Sequence, residues 1–258
     1  MTRHEQIDIP TIADKDLVLA TDLDGTFLGG TDEERRSFYD WIEENRSRVG
    51  LIFVTGRDPG FITHLTRKQG VPRPDYVIGD VGTTIAAFDD SNHVSPIEEL
   101  EAEIAEKWGD ANRKVESALH RVSGLKLQSA AFRYRVSYDM DPNRFDPVAY
   151  DIVAEMGLDS LVSADCYFDV LPKDVSKGPS LLRLLEHLGI DNRKCLVAGD
   201  TMNDHSMLAM GVPAVAVGNS EAALIEALDG HDHVHLAKEH GVAGIAEAIL
   251  RFEFLAAS

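Results

Sequence analysis

Cysteine is scarce in this chain: two among 258 residues, Cys166 and Cys195, far apart. Two thiols build neither a disulfide framework nor a zinc cluster. Cys195 opens the apolar run CLVAG and reads as a buried thiol. Long apolar runs are missing too, since none approaches the roughly 20 residues needed to cross a bilayer. The opening segment, MTRHEQIDIPTIADKD, is polar and carries no secretory-type apolar stretch. A cytoplasmic location is therefore expected. Positive charge is short as well: 25 Lys and Arg against 44 Asp and Glu give a formal net charge of −19. That argues against nucleic acid as a partner, because tracking phosphates needs a basic surface. It equally disfavours an anionic membrane. Such a surface serves solubility, and it sets a condition: any phosphate site must carry its own local positive charge. Internal repeats, low-complexity tracts and heptad arrays are also missing.

What is present is an alternation. LVLAT (17–21), GLIFVTG (50–56) and DYVIGD (75–80) read as strands, and 32–48 and 59–70 between them read as helices. The pattern returns late, with helices at 176–190, 203–211, 221–228 and 241–252 and strands at 194–200 and 213–218. Unbroken apolar strands alternating with helices imply a parallel sheet covered on both faces. The middle differs. Residues 97–122 read as one long amphipathic helix. After it come LKLQSA (125–130), FRYRVSYDM (132–140), a helix near 145–157, and SLVSADCYFDVLP (160–172). FRYRVSY alternates apolar and polar residues, as an antiparallel strand with one exposed face does. The expected organisation is a core of residues 1–85 and 169–258, with an α+β domain at 86–168 inserted into it.

In an open parallel sheet, ligands bind beyond the carboxyl ends of the strands. Four polar clusters fall there or beside such an end: Asp22-Leu23-Asp24-Gly25-Thr26, Thr55-Gly56-Arg57, Lys177 at a helix start, and Gly199-Asp200-Thr201-Met202-Asn203-Asp204. Singly, each has a structural reading as turn, cap or solvated side chain. Together they point to phosphoryl transfer from a monoester. Asp22 and Asp200 offer hard oxygens to Mg²⁺, and the ion keeps Asp22 ionised and able to attack phosphorus. Asp24 can give a proton to the leaving oxygen and later take one from water. Gly25 lets the backbone turn. Thr55 and Lys177 can bind phosphoryl oxygens where negative charge sits. Asn203 can orient Lys177 or the nucleophile, and Asp204 can hold a metal-bound water.

DLDGT, TGR, a later lysine and GDTMND occur in this order over nearly the whole chain. In this the chain resembles the haloacid dehalogenase (HAD) superfamily of phosphatases. The resemblance implies an α/β fold: a Rossmann-like parallel-sheet core with an inserted α+β cap of type 2B. It also implies roles. Asp22 is the nucleophile, Asp24 the acid/base, and Thr55 and Lys177 bind phosphate. The metal set is Asp22, Asp24 through its backbone carbonyl, Asp200 and Asp204, with Mg²⁺ as cofactor. PDYVIGDVGTTI (74–85), FRYRVSYDMDP (132–142), FDVLPKDVSKGPSL (168–181) and GVAGIAEAILRF (241–252) are similar to the sucrose-phosphate phosphatase group. This implies hydrolysis of a sugar phosphate, first of all sucrose 6-phosphate. The alternatives are mannosylfructose phosphate, glucosylglycerol phosphate and mannosyl-3-phosphoglycerate. TMND has methionine where that group often has glycine. The chain is expected to end with the catalytic unit, without the plant enzymes' additional domain. Phosphoglucomutase-like transfer is disfavoured, because the similar segments run through both core and cap. A reading of another class is a non-catalytic sugar binder or glycosyltransferase partner, though a binder needs no Asp24.

Candidate substrate contacts are Gly56, Arg57 and Asn203 in the core, Gly82 and Thr83 at the cap entry, and Arg133 and Arg135 in the cap, with Ser137 and Tyr138 beside them. Arginines there would supply the local positive charge. For any one member of FRYRVSY, facing solvent or the cap's own core is an equal alternative. Asp80 either meets a sugar hydroxyl or ends a strand. His231, His233 and His235 alternate in HDHVH and read as a solvated edge strand rather than a metal site. His205 reads as packed on its helix, and Trp41 and Trp108 as members of local cores.

Overall fold

A computed structural model describes residues 11–68, 70–89, 93–130 and 132–255. The first half of the core follows the apolar runs. β1 (Leu17–Thr21) and β2 (Val49–Val54) are buried at every position. Between them, α1 (Asp32–Glu44) starts at Thr31, where the Thr31 and Glu34 side chains cap each other's backbone N–H. α2 (Pro59–Lys68) leads to β3 (Tyr76–Gly79). β4 (Thr84–Phe88) and β5 (Val94–Pro96) then extend the sheet beyond β3 as antiparallel strands.

The middle of the chain departs from the single helix expected at 97–122. It forms α3 (Glu98–Trp108) and α4 (Ala111–Leu119) instead. The break is at Gly109, with φ +54° and ψ −123°, a conformation that only glycine adopts without strain. α3 straddles two cores. Ile104 packs with Leu181 and Leu184, while Trp108 packs with Val115 and Phe168. β6 (Leu125–Leu127), β7 (Val136–Met140), α5 (Val148–Glu155), β8 (Asp159–Ser163) and β9 (Tyr167–Leu171) follow. β7 starts four residues later than expected, so Arg133 and Arg135 lie in the irregular segment before it. The β8–β9 turn has positive φ at Ala164 and Asp165 (50° and 49°), the geometry that matches hairpin twist.

The chain then returns to the core through α6 (Lys177–His187), β10 (Cys195–Gly199), α7 (His205–Leu208), β11 (Ala214–Ala216), α8 (Ala222–Ala227), β12 (Val234–Leu236) and α9 (Gly241–Arg251). The large sheet has the order β12-β11-β10-β1-β2-β3-β4-β5, parallel from β12 to β3. Side chains alternate across it. Leu19, Leu51, Phe53 and Leu196 pack under α1 and α9, whereas Val18, Ile52, Val54 and Val197 pack under α6 and α7. Each such side chain contributes roughly 1.5–3 kcal/mol by burial. From β1 the chain builds outward one way through β2 and β3, and from β10 the other way through β11 and β12. The topological switch point therefore lies between β1 and β10, where ligands bind in sheets of this kind.

The small sheet, β6-β7-β9-β8, is antiparallel. Val136, Tyr138, Phe168 and Val170 pack from one face against α4 and α5. The expected boundaries shift accordingly. The large sheet runs on to Pro96, because Ile85 and Ala86 pair with β3, so a break at 85/86 would cut β4. A break at 168/169 would cut β9. The histidine segment lies at the β12 edge, yet its rings are hydrogen-bonded rather than solvated. His233 Nε2 is 2.9 Å from the Leu208 carbonyl, and His235 Nε2 is 2.8 Å from Glu247 Oε1. Cys195 is buried, and burial pushes its thiol up to about 12. Among the described residues, no helix is long and apolar enough to cross a membrane.

Candidate active site

The parallel register brings two acidic loops together. Thr21 pairs with Ala198, so Asp22 and Asp200 leave adjacent strands at the switch point. The Asp22 N–H donates to the Ala198 carbonyl at 2.9 Å. The chain then winds tightly, with the Phe27 N–H donating to the Asp22 carbonyl at 3.1 Å. Gly25 sits in this turn at φ +82°, and a Cβ there would lie 2.1 Å from Asp200 Oδ2. Both conformation and contact therefore demand glycine. Asp200 is aimed by two side chains. Thr26 Oγ1 donates to its Oδ1 at 2.8 Å, and Asn219 Nδ2 lies 3.3 Å from its Oδ2 while also holding the Gly25 carbonyl at 3.0 Å.

Lys177, at the start of α6, has no exposed surface. Its Nζ donates to Asp22 Oδ1 (2.7 Å), Asn203 Oδ1 (2.7 Å) and Asp204 Oδ1 (2.6 Å), which uses all three ammonium protons. Asp204 Oδ2 accepts the Asp200 and Thr201 N–H groups, both at 3.0 Å. Asp204 thus braces both the lysine and the loop that carries Asp200.

Asp22, Asp200 and Asp204 bring carboxylate oxygens within 4.8 Å of one another. One ammonium faces these three buried carboxylates, so two negative charges are left uncompensated when all three are ionised. The titration behaviour reflects this. Burial pushes Asp22 well above the carboxylate range; Lys177 pulls it back, and Asp204 and Asp200 push it further up. Burial, and then Asp204, raise Asp200 to about 7. Burial opposes the charge on Lys177, but Asp204 and Asp22 hold its ammonium above the usual range. A buried all-oxygen donor set with two excess negative charges fits a divalent cation.

Asp24 stands apart from this trio. It is half-exposed and receives the fork of Arg57, with Nε at 2.8 Å and Nη2 at 3.1 Å. Thr55 is buried, and its Oγ1 accepts the Arg57 N–H at 3.1 Å. Among the described residues no protein acceptor takes its hydroxyl proton.

A cavity of about 450 Å³ separates these loops from the small sheet. It brings together Asp22, Asp24, Gly56, Arg57, Arg135 and Asn203 as the sequence predicts. The other expected contacts lie elsewhere. Gly82 (φ +103°) seats the start of α6: a Cβ there would lie 2.4 Å from the Ser176 carbonyl, and its own carbonyl accepts Ser180 Oγ at 2.6 Å. Thr83 is buried and donates to the Asp80 carbonyl at 3.0 Å. Arg133 turns away to fork onto Glu101 at 2.8 and 2.9 Å. Tyr138 faces the small core instead of the cavity. Asp80 is buried between Thr84 Oγ1 (2.8 Å) and Arg135 (3.5 Å).

The cavity also has lining that the sequence reading did not single out: Gln128, Phe132, Ser163, Tyr167 and Asp169. The signal for two of these was the alternation in YFDVL, which sets Tyr167 and Asp169 opposite Phe168 and Val170. Asn219 carried no such signal.

The profile of the sucrose-6F-phosphate phosphohydrolase family matches residues 15–253. The chain is 39% identical over 241 residues to a glucosylglycerol-phosphate synthase of Pseudomonas anguilliseptica, a match covering 93% of this chain and 31% of that protein. It thus spans about a third of that relative's length. It is 30% identical over 219 residues to a mannosylfructose-phosphate phosphatase of Agrobacterium fabrum, covering 81% of this chain and 85% of that one. A solved sucrose-phosphatase from Synechocystis sp., in complex with sucrose and phosphate, shares the fold. Its TM-score is 0.84 at 24% identity, over 94% of this chain and all of that one.

Proposed function

The chain belongs to the sucrose-6F-phosphate phosphohydrolase family of the HAD superfamily, and on that premise we propose that it is a magnesium-dependent phosphatase of a glycosyl phosphate. The observation that carries the proposal is the buried ammonium of Lys177, which holds Asp22, Asn203 and Asp204 at 2.6–2.7 Å beside Asp200. Lys177 fixes one oxygen of Asp22. The other attacks phosphorus, the bond to the leaving oxygen breaks, and an aspartyl-phosphate forms. Asp24 protonates the leaving oxygen. It then takes a proton from the water that attacks phosphorus and frees Asp22 and phosphate. The Thr55 hydroxyl donates to a phosphoryl oxygen, and the Lys177 ammonium, its three protons already engaged, adds positive charge beside the phosphoryl group. The half-exposed Arg57–Asp24 pair, worth about 0–1 kcal/mol, opens readily to an entering phosphate.

Mg²⁺, held by Asp22, Asp200 and the backbone carbonyl of Asp24, would offset the excess buried charge and that of the phosphoryl group. Asp204, whose oxygens hold the Lys177 ammonium and the Asp200 and Thr201 N–H groups, adds its charge to this set and braces it. The small sheet with α4 and α5 serves as the cap that reads the leaving group. A binder would need neither Asp24 nor a buried lysine on Asp22.

Glucosylglycerol phosphate is the favoured substrate, supported by the 39% identity to a synthase of that ester. Sucrose 6-phosphate is the second reading, supported by the family profile. A glycosyltransferase that makes the ester is the partner this reading implies. The test is phosphate release from both esters, mannosylfructose phosphate, mannosyl-3-phosphoglycerate and simple hexose phosphates, with Mg²⁺ and with EDTA. Release that needs Mg²⁺ and strongly favours one glycosyl phosphate is expected. Folded protein that releases phosphate from none of them, or that ignores EDTA, contradicts the proposal.

A further inference from the structure

Asp169 lies in the middle of β9, in register with Ser137 on β7 and Leu161 on β8. Its strand neighbours Phe168 and Val170 are fully buried in the small core, so Asp169 stands on the opposite face and lines the cavity. Oδ1 is occupied: Ser137 Oγ donates to it, and Arg135 Nη1 lies 3.3 Å away. Among the described residues no protein donor reaches Oδ2. Arg135 fixes this carboxylate in place. Its guanidinium stacks on Phe132 at 3.6 Å, and Nη2 donates to the Gly56 carbonyl at 3.1 Å, one residue past Thr55. The free oxygen therefore has a set relation to the phosphate end of the cavity.

Charge sharpens the reading. Arg135 faces two carboxylates, Asp169 at 3.3 Å and Asp80 at 3.5 Å, so its single charge does not neutralise both. Arg57, the other arginine of the lining, is paired with Asp24. No arginine on the small-sheet side of the described lining is left to meet an anionic leaving group.

We infer that Asp169 is a specificity-determining residue: its free carboxylate oxygen accepts a hydroxyl of the leaving group and rejects leaving groups that carry negative charge. The inference rests on the phosphatase reading above and adds the feature that sorts its substrates. A hydroxyl bound to a charged acceptor discriminates by roughly 10- to 100-fold.

The test compares kcat/KM of wild type and Asp169→Asn on three esters: glucosylglycerol phosphate, mannosyl-3-phosphoglycerate, whose leaving group bears a carboxylate, and p-nitrophenyl phosphate, which has no hydroxyl to read. In Asp169→Asn, preference for glucosylglycerol phosphate over p-nitrophenyl phosphate should fall about 10- to 100-fold. Preference for the phosphoglycerate ester over the neutral one should rise. Ser137→Ala, which loses only a donor to Oδ1, should keep both preferences within about threefold of wild type. Unchanged preferences in Asp169→Asn, or a wild type that takes the two glycosyl esters equally, overturn the inference.

A direct binding measurement covers a variant that fails to fold. Wild type titrated with glucosylglycerol and with the carboxylate-bearing mannosylglycerate should bind the neutral compound at least about tenfold more tightly; equal binding overturns the inference. Wild type that hydrolyses neither these three esters nor sucrose 6-phosphate, mannosylfructose phosphate and the hexose phosphates would instead defeat the phosphatase reading, and the binding measurement would still judge the charge selectivity of the cavity.

Discussion

At the residue scale, the site is a problem of like charges at close range, and Asp200 bears the consequence. Burial and the nearby Asp204 raise it from 3.8 to about 7, so the folded chain keeps a proton that the unfolded chain releases. A carboxyl raised in this way contributes stability that is complete below about pH 4 and lost as pH climbs through about 7. A divalent cation binds the ionised form and reverses the trend. Thermal melts in EDTA and in Mg²⁺ at about pH 5, 6, 7 and 8 should therefore show a stabilisation by Mg²⁺ that grows with pH. A gain that is flat or shrinks with pH contradicts this charge balance. The sequence made these acids legible because an aspartate beyond a buried strand has few structural reasons to be there. It did not make Asp204's brace on Lys177 legible, since that depends on two loops 27 residues apart meeting in space. Gly82, Thr83 and Arg133 were misread for a related reason. Small and basic residues near a site look the same in sequence whether they touch a ligand or hold a helix.

At the scale of elements, the core strands were legible because a strand buried on both faces leaves an unbroken apolar run. The α3–α4 break was not, because apolar residues keep helical spacing on both sides of Gly109. The backbone there decides the matter. Space is free around a Cβ at position 109, so Gly109→Ala introduces no clash and tests conformation alone. Holding alanine at φ +54° and ψ −123° should lower stability by about 1–3 kcal/mol in urea unfolding. A neutral or stabilising effect would mean that α3 and α4 can run on as one helix, as the sequence pattern suggests. The late start of β7 has the same kind of origin. Arg133 and Arg135 continue the alternation of a strand, but they lie before it and pair with Glu101 and Asp169.

At the scale of the whole molecule, a chain of net charge −19 concentrates its useful positive charge in one place. Arg57 and Arg135 line a single cavity between two sheets and Lys177 lies buried beside it, each paired with carboxylates. Sequence order alone located the half of this cavity that lies on the large sheet, because the switch point fixes where β1 and β10 end. Of the half formed by the small sheet, Arg135 was legible but Tyr167 and Asp169 stayed hidden, because polar residues on a strand face read alike toward water and toward a closed cavity. The central claim is that Asp22 carries the phosphoryl group. Sodium borohydride reduces an aspartyl-phosphate to homoserine, so protein quenched during turnover of a hydrolysed ester with Mg²⁺ can be reduced, digested and read by peptide mass. The account predicts homoserine at position 22, dependent on substrate and absent from Asp22→Asn. Continuing hydrolysis with an unmodified Asp22, or with the modification at another carboxylate, would contradict it.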